Sequence, residues 1–299
     1  MNAVGPGGVV GPGGAVGVDS FTTASLDALH SELDRLERVV VAFSGGADSA
    51  FLAKVANDRL GREQVLCVTA VSPSLSPEEE RDCRSLAEEW GLRWVEAPTS
   101  ELEDTAYSAN GPDRCARCKT ALMDALLPLA VSESDGSRPA AVVLGVNLDD
   151  LCDHRPGQAA AASSGAQFPL VTSGFNKRDV REWSRRLGLR TWDKPAAACL
   201  ASRVPYGTRV TIETLASIRD AESALRRLGL RQFRVRHHGT LARIEVELSE
   251  LTDAIDRREE IVRLVKAAGY VYVSLDLEGF RSGSSNEILV PAAGAKESR

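Results

Sequence analysis

Hydrophobic and polar positions follow two different rhythms along this chain, and the change between them divides it. Leu26, Leu29, Leu33 and Leu36 recur at helical spacing and predict an amphipathic lead-in helix over 23–37. The apolar runs VVVAF (39–43), VLCVTAVS (65–72), RWVEAP (93–98) and AVVLGVN (141–147) read as strands. Between and after them, 49–59, 77–90, about 117–131 and 176–187 read as helices, the last opening at Asn176 and ending at Gly188. The second helix has a clear start in Ser76, Pro77, Glu78 and Glu79: proline suits the first helical position, and acids suit the positive end of the dipole. Continuous apolar strands separated by helices predict an α/β fold with a doubly wound parallel sheet, whose ligands sit beyond the carboxyl ends of the strands. After about residue 208 the rhythm changes. A helix over 211–228, two alternating segments in FRVRHHGTLARIEVE around a His-His-Gly-Thr turn, a helix over 250–267 and the strand YVYVSLDL form an α-β-β-α-β unit. The expected organisation is a nucleotide-type domain over 19–208 and a smaller C-terminal α+β domain over 209–280. The Gly/Val/Pro-rich residues 1–18 are expected to be a disordered extension, and 281–299 a polar, loose tail.

Composition narrows the class. The chain has 299 residues, 43% of them hydrophobic and 26% charged, as in an ordinary globular protein with room for two domains. A net charge of −6 offers no overall drive toward nucleic acid. The longest apolar runs fall well short of the roughly 18 residues that span a bilayer, so no membrane partner is expected. The N-terminus has no basic n-region and is not read as a signal peptide. Six cysteines without an export signal point to a reducing cytoplasm, where clustered cysteines serve metals or catalysis more often than disulfides.

Chemistry enters where the first strand ends. Ser44-Gly45-Gly46-Ala47-Asp48-Ser49 joins that strand to a helix. Adjacent glycines allow positive φ and close approach to a ligand, and the free N–H groups at a helix start favour an anion. Neither GxxxxGK[ST] nor GxGxxG occurs here. The SGGxDS form instead resembles the PP-loop of the ATP pyrophosphatase superfamily, whose members cleave ATP between the α- and β-phosphates. That resemblance assigns Ser44, Gly45, Gly46, Asp48 and Ser49 to ATP, with Asp48 also on Mg²⁺, a hard cation that prefers oxygen. Asp149, Asp150 and Arg155 follow the fourth strand and are candidates for the nucleotide or metal, a solvated helix cap being the plain alternative.

Two more segments carry a narrower resemblance: the CxxC of Arg114-Cys115-Ala116-Arg117-Cys118-Lys119, and Pro195–Gly207 with its ACLASR core. Together with GVNLDD…DHRPG (145–157) and RVRHHGTLARIEVE (234–247) they resemble the LarE family of ATP-dependent sulfur transferases, in order from about residue 24 to 280. The resemblance implies adenylylation of a carboxylate of pyridinium-3,5-biscarboxylic acid mononucleotide on the way to a nickel-pincer cofactor. It implies displacement of AMP by a cysteine thiolate, then carbon–sulfur cleavage that leaves a thiocarboxylate. In one version the cysteine is sacrificed to dehydroalanine; in another three cysteines hold a [4Fe–4S] cluster that delivers sulfide. Cys199 matches the sulfur-bearing position, and Arg203 nearby would favour its thiolate. Cys115 and Cys118 would complete a three-thiolate set with Cys199 and leave one iron open. The alternative is a zinc half-site or redox pair with Cys199 still sacrificial. Cys67 and Cys83 read as small buried hydrophobes, and Cys152 lies beside the Asp-rich loop.

Arg203, Arg234 and Arg236 are candidates for the substrate's phosphate and carboxylates, Arg234 and Arg236 lying on one strand face. By motif position Ser202, Glu222, Glu245 and Asp253 match family residues around sulfur transfer. Glu245 on its strand face calls for an arginine partner, whereas surface charge is the plain reading of Glu222 and Asp253. The His237-His238 pair reads as part of a turn. The family resemblance also implies a homo-oligomer, trimer-based and often hexameric. Rival readings are another PP-loop chemistry, either tRNA thiolation or amidation as in NAD or GMP synthetases, and a non-enzymatic nucleotide or iron–sulfur carrier.

Overall fold

The computed structural model describes residues 24–134, 136–152, 156–195, 198–281 and 284. The expected extension over 1–18, most of the 281–299 tail and Arg155 lie outside them. Strands β1 (Val39–Ala42), β2 (Val65–Val71), β3 (Arg93–Pro98) and β4 (Ala141–Leu144) form a sheet in the order β3-β2-β1-β4, parallel throughout. Val39 pairs with Val65 on one side and with Ala141 on the other. Because side chains alternate across a strand, each strand feeds two cores. Val39, Val41, Phe43, Cys67 and Val143 pack with helices α1 (Leu26–Leu36), α2 (Ala47–Leu60) and α3 (Pro77–Glu89). Val40, Leu66, Val68, Val142 and Leu144 face Met123, Leu126 and Ala161 on the other side. The sheet is therefore doubly wound, as the unbroken apolar strands require.

Between β3 and β4 lie α4 (Thr105–Ser108) and α5 (Arg114–Ser132). Helix α5 begins three residues before the expected start, since Arg114 N–H donates to Gly111 O and Ala116 N–H to Asp113 O, so the CxxC is helical rather than a loop. The stretch after β4 forms short helices where no periodicity announced them: α6 (Leu148–Cys152), α7 (Pro156–Ser163) and α8 (Pro169–Thr172). Helix α9 (Lys177–Arg186) follows, closed at its start by a reciprocal capping box between Asn176 and Asp179.

Helix α10 (Ile212–Arg227) joins the two parts of the molecule. Leu215 and Ile218 pack with Tyr107, Leu200, Ala201 and Val204, whereas Ala221 and Leu225 belong to a separate core with Val235, Ile244 and Val265. That second core underlies a sheet of β5 (Phe233–His238), β6 (Leu241–Val246) and β7 (Tyr272–Leu275). Strands β5 and β6 are antiparallel, with Arg234 opposite Glu245, and β7 is parallel to β6. The single helix expected over 250–267 is two, α11 (Leu251–Asp256) and α12 (Arg258–Ala267). The chain leaves helical geometry at Arg257, whose guanidinium donates to the Leu228 carbonyl beyond α10.

Candidate active site

A cleft of about 980 Å³ opens at the carboxyl ends of β1, β2 and β4 and reaches across to β5. Its size lies at the top of the usual range for small-molecule sites. Ser44, Gly46, Asp48 and Ser49 line one end, Cys118 and Cys199 one side, and Arg203, Glu222 and Arg234 the far wall. The structure thus gathers the motifs that the sequence scatters.

The loop after β1 is held by its own hydroxyls. Ser49 Oγ accepts from Ser44 N–H at 3.2 Å, lies 3.0 Å from Ser44 Oγ and donates to Gly46 O at 3.2 Å. Gly45 has φ +66°, and a Cβ there would stand 2.9 Å from Cys83 Sγ. A Cβ on Gly145, at the end of β4, would stand 2.7 Å from Ser49 N, so that strand can approach the loop only as glycine. Asp48 accepts from Asn147 Nδ2 at 3.0 Å. Burial raises its carboxyl above the usual range, and the Asp150 charge adds to the effect. A hard divalent cation would offset that cost, so the oxygen donors here fit Mg²⁺. Asp150 is buried against Lys177 at 3.1 Å. Asp149 takes the part of a cap, accepting Lys177 N–H at 2.8 Å.

The sulfur side is built by the turn Leu200–Arg203, which follows Cys199. Arg203 is buried and grips three parts of this turn, donating to Ala198 O at 2.7 Å, Cys199 O at 3.3 Å and Ser202 Oγ at 3.0 Å. Its other nitrogens fork onto Glu222 at 2.8 and 3.0 Å, and Glu222 also accepts Val235 N–H at 3.0 Å. Glu222 is therefore not surface charge. Arg236 donates to Glu245 at 2.9 Å and to Ser202 O at 2.8 Å, so Glu245 has the arginine partner its strand position called for. Arg234 is buried too, but its guanidinium stacks on Phe280 at 4.5 Å. Burial and the neighbouring Arg203 and Arg236 charges lower its pKa to about 10, which an anionic ligand would reverse.

Cys199 and Cys115 are exposed, and Cys118 is half-buried. Burial and the nearby Cys199 charge push the Cys118 thiol up to about 12. Buried Arg114, flagged in sequence only as a neighbour of the CxxC, donates to Ala201 O at 2.9 Å. Burial disfavours its charge, but Cys199, Cys115, Tyr206 and Tyr107 together outweigh it and raise its pKa. Three thiols in one neighbourhood suit soft-metal chemistry. As placed, however, no three His, Cys, Asp or Glu among the described residues stand close enough together to hold an ion. Cys67 and Cys83 are buried, with thiols at about 12 and about 11. Asp253 stands apart, exposed on α11 and 3.7 Å from Arg257. His237 meets Tyr270 OH at 3.2 Å on β5. The side chain of Cys152, like Arg155, falls outside the description. Several lining residues carried no signal in the sequence, among them Glu101, Arg226 and Lys194, which stands directly ahead of Pro195.

A parallel sheet whose first strand opens into SGGADS, at one end of a cleft lined by arginines and thiols, defines a PP-loop ATP-using enzyme. The NAD synthase family model matches residues 21–120, which carry the first three strands but neither Cys199 nor the arginine wall. Over 264 residues the chain is 39% identical to the pyridinium-3,5-bisthiocarboxylic acid mononucleotide synthase of Lactiplantibacillus plantarum, covering 88% of this chain and 94% of that one. It is 42% identical over 268 residues to an uncharacterized protein of Synechocystis sp., covering 89% and 98%, and 28% identical over 246 residues to one of Methanocaldococcus jannaschii, covering 82% and 92%. The chain belongs to the LarE family of ATP-dependent sulfur transferases. No helix among the described residues is long and apolar enough to cross a membrane.

Proposed function

We propose that the chain adenylylates a carboxylate of pyridinium-3,5-biscarboxylic acid mononucleotide and converts it to a thiocarboxylate through Cys199. The observation that supports this best is the common cleft: the SGGADS loop, Cys199 and the guanidinium of Arg234 line one cavity. The loop hydroxyls and amides would hold the departing pyrophosphate, with Mg²⁺ on Asp48. Arg234 would take the substrate's phosphate or free carboxylate, and the opposed carboxylate would attack the α-phosphorus. The Cys199 thiolate then attacks the acyl carbon, and AMP leaves with the bonding pair; in the sacrificial version, loss of the Cys199 Cα proton then breaks its Cβ–Sγ bond, leaving the thiocarboxylate on the product and dehydroalanine in the chain. Such chemistry needs placement and charge neutralisation more than covalent help.

For the sulfur source, the reading with Cys115, Cys118 and Cys199 as ligands of a [4Fe–4S] cluster rests on their shared neighbourhood; bound there, the cluster would present sulfide at its open iron. The sacrificial reading is favoured by one observation: as placed, no three His, Cys, Asp or Glu side chains among the described residues stand close enough together to hold an ion. Incubation with ATP, Mg²⁺ and the mononucleotide tests the proposal. Pyrophosphate, AMP and thiocarboxylate are expected together, and absence of all three refutes it. Intact-protein mass separates the sources. A loss equal to H₂S at Cys199 marks sacrifice, whereas unchanged mass, with iron bound after anaerobic reconstitution and lost on changing the three cysteines to Ala, marks the cluster. The same measurement discriminates against tRNA thiolation and amidation, which would leave the mononucleotide untouched.

A further inference from the structure

Arg234 has two possible partners for its charge, and the structure gives it only one. Across the β5–β6 register it stands opposite Glu245, where cross-strand side chains are close enough to pair. Glu245 Oε1 accepts from Arg236 at 2.9 Å and from Arg243 at 3.1 Å, whereas Glu245 Oε2 is buried with no hydrogen-bond partner among the described residues. A buried carboxylate oxygen left in this way is costly, and it would accept a guanidinium. Arg234 nevertheless lies over Phe280, 4.5 Å from the ring centroid. A ring face attracts a cation but has no lone pair to occupy its N–H donors.

Phe280 is placed by the backbone. Its N–H donates to Val246 O, at the end of β6, at 2.7 Å. The turn before it is closed by Glu278 N–H on Asp276 Oδ1 at 2.9 Å and by Gly279 N–H on Asp276 O at 3.2 Å. Gly279 has φ +70°, and a Cβ there would stand 2.9 Å from both Val246 O and Leu248 Cδ2, so the turn passes this point only as glycine. The ring belongs to none of the four apolar cores among the described residues and, like Arg234, lines the cleft. The fold thus fixes an aromatic side chain that it does not use for packing.

We propose that Phe280 is a positioning residue that holds the Arg234 guanidinium in the cleft, off Glu245 Oε2, with its N–H donors open to an anionic group of the substrate. The inference rests on the role given to Arg234 above. Without the ring, Arg234 would turn to Glu245 across the strand pair and form an internal ion pair, and the wall would lose its anion site. The change is confined to the wall built by β5 and β6, so affinity for ATP at the SGGADS loop should be kept.

The test compares wild type with Phe280→Leu, which keeps an apolar side chain but removes the ring, with Phe280→Tyr, and with Arg234→Ala, each titrated calorimetrically with the mononucleotide and separately with ATP. In Phe280→Leu, affinity for the mononucleotide should fall about 5- to 30-fold, the worth of a desolvated cation–π contact, with affinity for ATP within about twofold of wild type. Phe280→Tyr keeps a ring face and should bind within about threefold of wild type. On an Arg234→Ala background, Phe280→Leu should cost less than about twofold further, because the two changes remove one interaction. Mononucleotide affinity kept in Phe280→Leu, an equal loss for ATP, a Phe280→Tyr variant as weak as Phe280→Leu, or additive losses in the double variant would overturn the proposal. A crystal structure of ligand-free Phe280→Leu supplies a readout that needs no substrate: the Arg234 guanidinium should stand within hydrogen-bond distance of Glu245. A guanidinium still turned into the cleft overturns the proposal. A wild type that binds the mononucleotide no better than Arg234→Ala does, with the guanidinium moved as stated, refutes Arg234 as the anion site and keeps the ring as its holder.

Discussion

Glu222 offers the sharpest test of how the site is held. Its carboxylate accepts two bonds from Arg203 and one from Val235 N–H, and both members of the pair are more than nine-tenths buried. Glu222→Ala removes the partner and leaves a guanidinium charge in the interior, which costs about 3–5 kcal/mol. Since 1.4 kcal/mol is a factor of ten, the folding equilibrium should fall about 10²- to 10³-fold. Glu222→Gln keeps the shape and the acceptor for Val235 but loses charge, so about 1.5–3 kcal/mol is expected. Urea unfolding followed by circular dichroism reads both. The informative companion is Arg203→Met/Glu222→Met. An apolar replacement of a buried ion pair is often neutral in stability, so this variant should recover most of the loss in Glu222→Ala. It should not recover sulfur transfer, because the carbonyls of Ala198 and Cys199 and the hydroxyl of Ser202 have lost the guanidinium that arranges them. A Glu222→Ala cost below about 1 kcal/mol, under the range for a broken buried pair, would refute the burial argument. A double variant with full sulfur transfer would refute the positioning argument.

Two further outcomes follow from the same wall and the same loop. Arg234→Ala should weaken binding of the mononucleotide by about 10- to 150-fold, the worth of a charged hydrogen bond of about 1.5–3 kcal/mol, with little effect on ATP; calorimetric titration of each ligand checks it, and an equal loss for both would assign Arg234 elsewhere. Asp48 provides the pH dependence. Burial raises its carboxyl in the folded state, so folding favours its protonated form; that contribution is present at low pH and disappears as pH rises through the folded value. Asp48→Asn removes the penalty, so the ligand-free variant should be the more stable at pH 8 and closer to wild type at pH 4, while losing Mg²⁺-dependent pyrophosphate release. Denaturation at the two pH values decides, and a variant less stable than wild type at pH 8 contradicts the assignment.

The parts legible in the sequence were those in which neighbours along the chain also become neighbours in space. The apolar runs could be read as a parallel sheet because β1, β2 and β4 are buried on both faces, whereas β3 at the sheet edge is largely exposed, and the glycine loop is a contiguous motif whose close approach only glycine permits. The short helices α6, α7 and α8 carry small residues without a helical stripe, so nothing in periodicity announced them. The break at Arg257 is set by the Leu228 carbonyl, 29 residues earlier. Glu222 looked like any glutamate on an amphipathic helix; only the arrival of Arg203, 19 residues away and across a change of core, makes it interior. Lys194 was hidden for the same reason, since its partners lie 112 to 149 residues upstream.

The distribution of charge in the cleft suits the two successive reactions proposed for it. At the end lined by the SGGADS loop, Lys194 is satisfied by carboxylates and a carbonyl, and the loop offers hydroxyls and amides; on the proposed reading, selectivity there would come from these fixed dipoles and from a cation on Asp48. On the opposite wall, Arg203 and Arg236 are engaged by Glu222 and Glu245, whereas the guanidinium of Arg234 lies against Phe280 and that of Arg226 against Phe233. On the proposed reading, a substrate bearing phosphate and carboxylates would be drawn to this wall, with its reactive carboxylate toward the nucleotide. Cys199 stands between the two, on a segment whose carbonyls are held by Arg203 and whose ends are anchored to the loops after β1 and β2. The paired arginines hold the wall together, and Arg234 is the one proposed to bind the anion. Disrupting either glutamate should therefore do more than weaken the fold: it would free a second guanidinium to compete with Arg234 for the anion, and substrate would bind in a register from which the thiol cannot reach it.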